Sequence, residues 1–310
     1  MKKTKVLVLG ASGMLGSMVT DFLSRDEDLS VMATVRTPEL RDMVSGRVGD
    51  VDWELFEIKD EIQTTEQLRR FKNPDWIVNA IGIIKPYARD GKPREVERAI
   101  VGNACFPYWL AEAFEKSCIL QIATDCVYSG AKGNYVESDK HDALDVYGKT
   151  KSLGEVVLAN INHLRCSIIG PEPKSYVSLL EWFRRQPKNA KISGFTNHLW
   201  NGVTTLHFAK ICHGIIKNNV ELPHLQHLIP DRDITKHDLL YCFGRCFRRS
   251  DIEITATSAE NEIDRTLATE NEDLNAELWQ NAGYRGRPPT VPEMVEELAA
   301  FDYRFGSLEQ

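Results

Sequence analysis

Tyr147 and Lys151 stand four residues apart in the run Tyr-Gly-Lys-Thr-Lys, so on a helix they share one face. A free phenol titrates near ~10 and exchanges protons sluggishly at neutral pH. An ammonium about 4 Å away is worth roughly 4 kcal/mol at an effective dielectric of ~20. That is enough to move the phenol about three decades toward its ionised form. The spacing therefore predicts a proton donor or acceptor for a carbonyl or hydroxyl near pH 7. Tyr and Lys also meet at this spacing on helices with no chemistry, so the pair needs a co-reagent from elsewhere in the chain.

Residues 5–10 offer one. An apolar run ends on Gly10-Ala-Ser-Gly13-Met-Leu-Gly16 and passes into a helical pattern. The first glycine permits a tight turn, the second lets backbone approach a pyrophosphate, and the third allows close helix–strand packing. The helix start then offers free N–H groups and a positive dipole end to phosphates. A turn of glycines with no ligand would look the same locally, but strand before and helix after is the context that dinucleotide binding requires. The second apolar run ends in Thr34-Val-Arg36. An acidic residue there would bond a ribose 2′-hydroxyl, whereas an Arg suits a 2′-phosphate. This favours NADP(H), with NAD(H) open if Arg36 is only a solvated loop residue.

These residues must be held by regular elements. Strands are expected at residues 5–10, 29–36, 52–58, 75–82, 118–124 and 163–169. Helices are expected at 14–25, 41–46, 64–71, 94–117 (with Pro107 as a kink) and 145–160. Six apolar strands alternating with helices argue an α/β fold with a Rossmann-like, doubly wound parallel sheet. Their nearly continuous apolar character fits burial on both faces. After residue 170 the texture changes. A helix is expected over 175–192, then an irregular stretch, helices over 206–218, 236–249 and 291–301, and short strands at 225–230 and 251–257. We expect a dinucleotide-binding domain at 1–170 and a smaller α/β substrate domain at 171–310, part of about 200–245 packing back on the first.

Bulk properties are ordinary for a soluble globular protein. The chain has 310 residues, 42% hydrophobic and 27% charged, and a net charge of −7 without a sustained basic run. That leaves no electrostatic footprint for nucleic acid, and no apolar stretch reaches membrane-spanning length. The start, Met-Lys-Lys-Thr-Lys, resembles a signal n-region, but the apolar run after it is short and glycine-broken. Seven scattered Cys suit a reduced, cytoplasmic protein. Cys242 and Cys246 read as helical packing thiols, and the eight His show no ligand cluster, so no metal site is expected.

Together these segments resemble the extended short-chain dehydrogenase/reductase superfamily. Gly10-x-x-Gly13-x-x-Gly16 has its spacing, and residues 78–82, Val-Asn-Ala-Ile-Gly, are similar to its Asn-Ala-x-Gly element. Residues 123–130, with Thr124-Asp125-Cys126-Val127, and residues 146–155 resemble the dTDP-4-dehydrorhamnose reductase family more specifically. The resemblance covers about residues 5–170. It implies Tyr147 as proton donor to a substrate carbonyl. It gives Lys151 the tasks of lowering the phenol's pKa and holding the nicotinamide ribose, and Thr124 that of bonding the substrate oxygen. Gly10, Ser12, Gly13, Met14, Leu15 and Gly16 would wrap the pyrophosphate. Asp60 would sit near the adenine, and Ala80 and Gly82 would let the cofactor pass closely. Asn103 is either a site support or a helix-packing residue. Asp125 orients substrate hydroxyls or caps its loop. Trp200 and Asn201 could contact substrate, or tuck against the core.

Position 126 separates reactions. Nucleotide-sugar dehydratases of the superfamily carry Asp-Glu after the Thr, and the acid pair drives elimination. Cys126 is a poor substitute for a carboxylic acid. The resemblance therefore implies an oxidoreductase: an NADPH-dependent reductase of a nucleotide-linked 4-keto-6-deoxy sugar, serving polysaccharide biosynthesis, with a homodimer compatible. Two other readings stay open: an epimerase with tightly held NAD, and a non-catalytic dinucleotide-sensing protein.

Overall fold

The computed structural model describes residues 2–305. Its centre is one sheet of seven parallel strands, in the order β3-β2-β1-β4-β5-β6-β11. The strands are β1 (Thr4–Leu9), β2 (Leu29–Val35), β3 (Val51–Leu55), β4 (Trp76–Asn79), β5 (Cys118–Thr124), β6 (Ile161–Cys166) and, much later in the chain, β11 (Leu225–His227). Strand direction from β1 leads first outward to β3, then the chain returns to β4 on the other side. The carboxyl ends of β1 and β4 therefore flank the crevice where open parallel sheets bind ligands.

Alternation along each strand feeds two cores, one per face. Val6 and Val8, with Val31, Val78, Leu120 and Leu164, meet α1 (Met14–Leu23) and residues of α8 (Thr205–Asn218) such as Phe208, Ile211 and Ile215. Leu7 and Leu9, with Ile77, Ile119 and Ile161, meet Leu68 of α3 (Glu61–Leu68) and Phe106 and Leu110 of α5 (Phe106–Ala113). Both faces being covered, polar outward positions are few in the middle strands. The helix α2 (Pro38–Ser45) begins earlier than its apolar pattern, because Thr37 accepts the Leu40 N–H as its cap and Pro38 fits the first turn.

The expected helix over 94–117 is three pieces: α4 (Pro93–Ala99), a wide π-helical turn (Ile100–Cys105), and α5. Pro107 lies in the first turn of α5, so its missing N–H falls where the π-helical turn passes into the α-helix. The next helix, α6 (Val146–Leu153), stops seven residues short of expectation. Gly154 follows it, and a Cβ there would stand 1.8 Å from the Asn103 carbonyl oxygen, so the chain leaves the helix where it meets the π-helical turn.

Beyond β7 (Ile168–Ile169) the expected helix over 175–192 shrinks to α7 (Leu179–Arg184). Ser178 caps it, and residues 191–195 instead form β8 (Lys191–Phe195). Short pairings follow: β9 (Leu199–Trp200), β10 (Val203–Thr204), β12 (Ile234–Thr235) and β13 (Glu253–Thr257), with β13 parallel to β8 and β12 antiparallel to β9. The remaining helices are α9 (Lys236–Cys246), α10 (Glu272–Asn281) and α11 (Val291–Ala300), the last closed by a Thr290–Glu293 capping box. The helix α10 escaped the sequence reading because acidic and amide residues dominate it. Three later features return to the sheet: α8 packs on α1, β11 extends β6, and Tyr303 shares a 2.6 Å hydrogen bond with Ser17 of α1.

Candidate functional site

The turn after β1 is shaped by glycine. Gly10 has φ +83°, a region that side chains rarely adopt. A Cβ on Gly16 would come within 2.2 Å of the Gly10 carbonyl oxygen. Gly13 differs, since its Cβ would make only an ordinary 3.4 Å contact. Its bareness leaves room above the turn rather than within the protein. Gly13 is also the cap residue of α1 and has no side chain to satisfy the helix N–H groups, which remain available to an anion. Met14 and Leu15 open that helix. Thr34 ties the turn to β2: its Oγ1 accepts the Gly10 N–H at 3.1 Å, and its carbonyl accepts the Ala11 N–H at 2.9 Å.

Around the turn stand two cations. Arg36, exposed just past β2, makes no hydrogen bond or ion pair among the described residues. Lys174, in the loop after β7, donates to Ser12 Oγ at 2.8 Å. Burial, then the charge of Arg36, pushes the Lys174 ammonium down to about 8. Asp60 is the cap of α3, its Oδ1 accepting the Gln63 N–H at 2.8 Å, so one carboxylate oxygen already has a structural task. Past β4, Ala80 continues the ladder by donating to the Leu9 carbonyl at 3.1 Å, and Gly82 lies over Asn103, its missing Cβ 3.6 Å from Oδ1.

Asn103 spends its whole amide on structure. Oδ1 accepts the Ile83 N–H at 2.7 Å, while Nδ2 donates to the Ile83 carbonyl at 2.9 Å and to Thr150 Oγ1 at 3.2 Å. It clamps the segment that follows β4 to the helix that carries Tyr147. Both polar atoms of its side chain are thus held by the protein itself.

The helix α6 starts on Asp145, whose side chain accepts the Gly148 N–H at 2.8 Å and pairs with Lys85 at 2.7 Å. Gly148 lets the helix press against the end of β5, since a Cβ would lie 2.5 Å from the Cys126 carbonyl oxygen. This close approach brings the Tyr147 phenol beside the Thr124 side chain. Thr124 Oγ1 in turn donates to Asp125 Oδ1 and accepts the Cys126 N–H, both at 3.2 Å.

The electrostatics correct one expectation. Burial, aided by Cys126 and the Asp125 and Asp145 charges, pushes the Tyr147 phenol above its ordinary value, against the Thr124 hydrogen bond. Lys151 does not pull it down. Its Nζ donates to the Ile122 carbonyl at 2.8 Å, and burial lowers the ammonium to about 8, with Glu155 opposing. One helical turn separates the two residues, but the lysine reaches back along β5 while the phenol lies over its end. Burial also raises Asp125, against the pull of Arg265 and Lys236. The Cys126 thiol is pushed up to about 12 by burial and by Asp125, so it stays neutral.

Two substrate expectations are corrected as well. Trp200 is buried, donates Nε1–H to Ser167 Oγ at 2.8 Å, and pairs across to Ile234 in the β9–β12 ladder. Asn201 is buried too, and its amide bonds both the N–H and carbonyl of Leu267, at 3.0 and 2.7 Å. Both turn inward because their polar atoms find partners in the fold. Sequence reasoning missed Lys174, Lys236 and Arg265. Lys236, first residue of α9, holds its ammonium 5.9 Å from the Trp200 ring centre, and Arg265 donates Nε–H to the Tyr128 carbonyl at 2.8 Å. Both are over 80 residues from the Tyr147 motif. Only Lys174 left a signal, standing just past the carboxyl end of a strand.

Sheet order, glycine turn and Tyr–Lys helix define an extended short-chain dehydrogenase/reductase. Residues 4–280 match the RmlD substrate binding domain, and the chain belongs to that family. A curated dTDP-4-dehydrorhamnose reductase from Aggregatibacter actinomycetemcomitans is 28% identical over 181 residues, 57% of this chain and 51% of that protein. The chain thus spans about half the length of that relative. A solved dTDP-4-dehydrorhamnose reductase from Bacillus anthracis, in complex with NADP, is similar at TM-score 0.70 and 18% identity, over 96% of this chain and 99% of that one. A UDP-N-acetylglucosamine 4-epimerase from Methanobrevibacter ruminantium gives TM-score 0.72 at 14% identity, over 97% and 98%. At such identities the solved structures establish a shared fold.

Proposed function

We propose that this protein is an NADP(H)-preferring reductase of a nucleotide-linked 4-keto-6-deoxy sugar. The observation that carries the reading is the placing of the Tyr147 phenol beside Thr124 at the carboxyl end of β5. A phenol pushed above its ordinary value is protonated at neutral pH, which suits an acid. The residues fit a dinucleotide: a glycine turn that only a bare backbone can make, open N–H groups at α1, and cations at Arg36 and Lys174. Bound there, a dihydronicotinamide supplies the hydride. Thr124, turning its hydroxyl from Asp125, would hold the substrate carbonyl oxygen, and Tyr147 would give that oxygen the phenolic proton as the hydride converts C=O to CH–OH. The phenolate left behind would regain its proton from solvent, with the Lys151 ammonium held on the Ile122 carbonyl as the positive charge near it. Cys126, neutral at about 12, offers no second acid or base for elimination. The reductase relatives from Aggregatibacter actinomycetemcomitans and Bacillus anthracis support this substrate class.

In this reading residues 1–170 bind the dinucleotide and 171–310 mainly face the sugar nucleotide, with Lys236 and Arg265 the cations nearest Asp125. The seven free cysteines fit a reducing compartment, the cytoplasm.

The test is nicotinamide absorbance during incubation with a dTDP- or UDP-4-keto-6-deoxyhexose. Wild-type protein should consume NADPH. Tyr147→Phe should lose about 10²-fold or more in rate while NADPH binding by calorimetry persists. Near-normal turnover in that variant would remove Tyr147 from its role. A purified protein that retains NAD and leaves NADPH untouched would mark an epimerase instead.

A further inference from the structure

Lys174 lies 162 residues from Ser12 in sequence, yet its ammonium rests on the Ser12 hydroxyl at 2.8 Å. The loop that carries it is held in an uncommon shape. Ser175 and Tyr176 both have left-handed backbones, φ 71° and 53°, of the kind that persists when the surroundings require it. Glu172 secures the loop by accepting the Val177 N–H at 2.6 Å. The outcome is a half-buried lysine over the glycine turn, close enough to Arg36 for the guanidinium to disfavour its charge. Neither cation has a carboxylate partner among the described residues. Two like charges brought together without a counter-charge are unfavourable until an anion joins them.

The position says which anion. The pyrophosphate of a dinucleotide meets the N–H groups of α1. Arg36 stands past the end of β2, where the adenosine ribose of a dinucleotide lies. We propose that Lys174 and Arg36 form one two-pronged site for the ribose 2′-phosphate, so that a loop of the second half sets the preference for NADP(H) over NAD(H). The inference rests on the dinucleotide reading above. It differs from it in assigning the selectivity to a pair, half of which comes from outside the β1–α1–β2 unit.

Calorimetric titration of the full chain with NADP+, NAD+, 2′-phospho-ADP-ribose and ADP-ribose tests it without any turnover. In Lys174→Gln the Kd for NADP+ and for 2′-phospho-ADP-ribose should rise about tenfold or more, while those for NAD+ and ADP-ribose change less than about twofold. Lys174→Arg, which keeps the charge, should retain most of the preference and guards against a folding defect. Equal weakening for all four ligands would place Lys174 on the pyrophosphate or in the scaffold, and overturn the pair. So would unchanged NADP+ binding in Lys174→Gln. Wild-type protein that binds none of the four would overturn the dinucleotide reading itself, a separate result.

Discussion

Lys151 donates to the carbonyl of Ile122 rather than reaching the phenol of Tyr147 one turn away. The two side chains are joined by β5 rather than by direct contact: Ile122 and Thr124 lie on the same strand, and each receives one of them. The electrostatic consequence is a lysine near its titration point and a tyrosine far from its own.

The first prediction is an alkaline limb in the rate. Lys151 is held down to about 8, so its charge disappears as pH rises through that value. If the ammonium supports proton delivery by Tyr147, kcat/KM for carbonyl reduction should fall about tenfold per pH unit above about pH 8. Lys151→Arg keeps its charge beyond pH 12 and should move the limb out of the measurable range, whatever its absolute rate. A pH–rate profile of both proteins decides the matter. An identical limb in each would assign it to another group.

Folding should respond to one atom at Gly16 and ignore it at Gly46. The Gly16→Ala Cβ meets the Gly10 carbonyl at 2.2 Å, whereas a Cβ on Gly46 has nothing within 4 Å. Gly16→Ala should cost about 1–3 kcal/mol by overpacking and lower dinucleotide affinity as α1 is pushed off the turn. Gly46→Ala, at φ −68°, should be neutral or slightly stabilising. Thermal melts with and without NADP+ compare them.

Stability should fall in acid by a route that runs through Arg165. This fully buried guanidinium donates to His227 Nε2 at 3.0 Å and His141 Nε2 at 2.8 Å, and bonds Glu155 and Tyr128. Both imidazoles must accept, so both are neutral. Burial, then Arg165, lowers His227 to about 4, and burial lowers His141 as well. An unfolded His titrates near ~6.5. Between about pH 6.5 and 4 the unfolded chain therefore holds more protons, and stability declines as pH falls through that window. His227→Gln, which still accepts from Arg165, should flatten part of the decline in melting temperature. A wild-type melting temperature constant from pH 7 to 4.5 would count against the arrangement.

Much of the site was written locally. Gly10, Gly13 and Gly16 follow from strand, turn and helix within a dozen residues, and Thr124 and Tyr147 end one element and begin another. What escaped depends on contacts across the chain. The end of α6 is set by the Asn103 carbonyl, the inward turn of Trp200 by Ser167, and the fate of Asn201 by Leu267. Local pattern carries no trace of such partners. The expected Tyr–Lys coupling failed for a related reason: sharing a helical face fixes where two side chains start, and the competing carbonyl of Ile122 decides where one of them ends. Lys236 and Arg265 were invisible because a cation near Asp125 looks, in sequence, like any solvated residue.

The π-helical turn at Ile100–Cys105 sets a rule of length. An α-helix advances about 100° of rotation per residue, and a π turn takes up one residue more than an α turn in the same circuit. That surplus residue sets the phase of Asn103 against α4 and of α5 against the sheet. Removing one residue from this turn would restore an ordinary helix and swing Asn103 away from Ile83 and Thr150, although no amino acid in contact with any ligand had changed. The spacing between Ala99 and Phe106 is thus part of the site's geometry, and a chain of this architecture should tolerate exchange of side chains there far better than a change in their number.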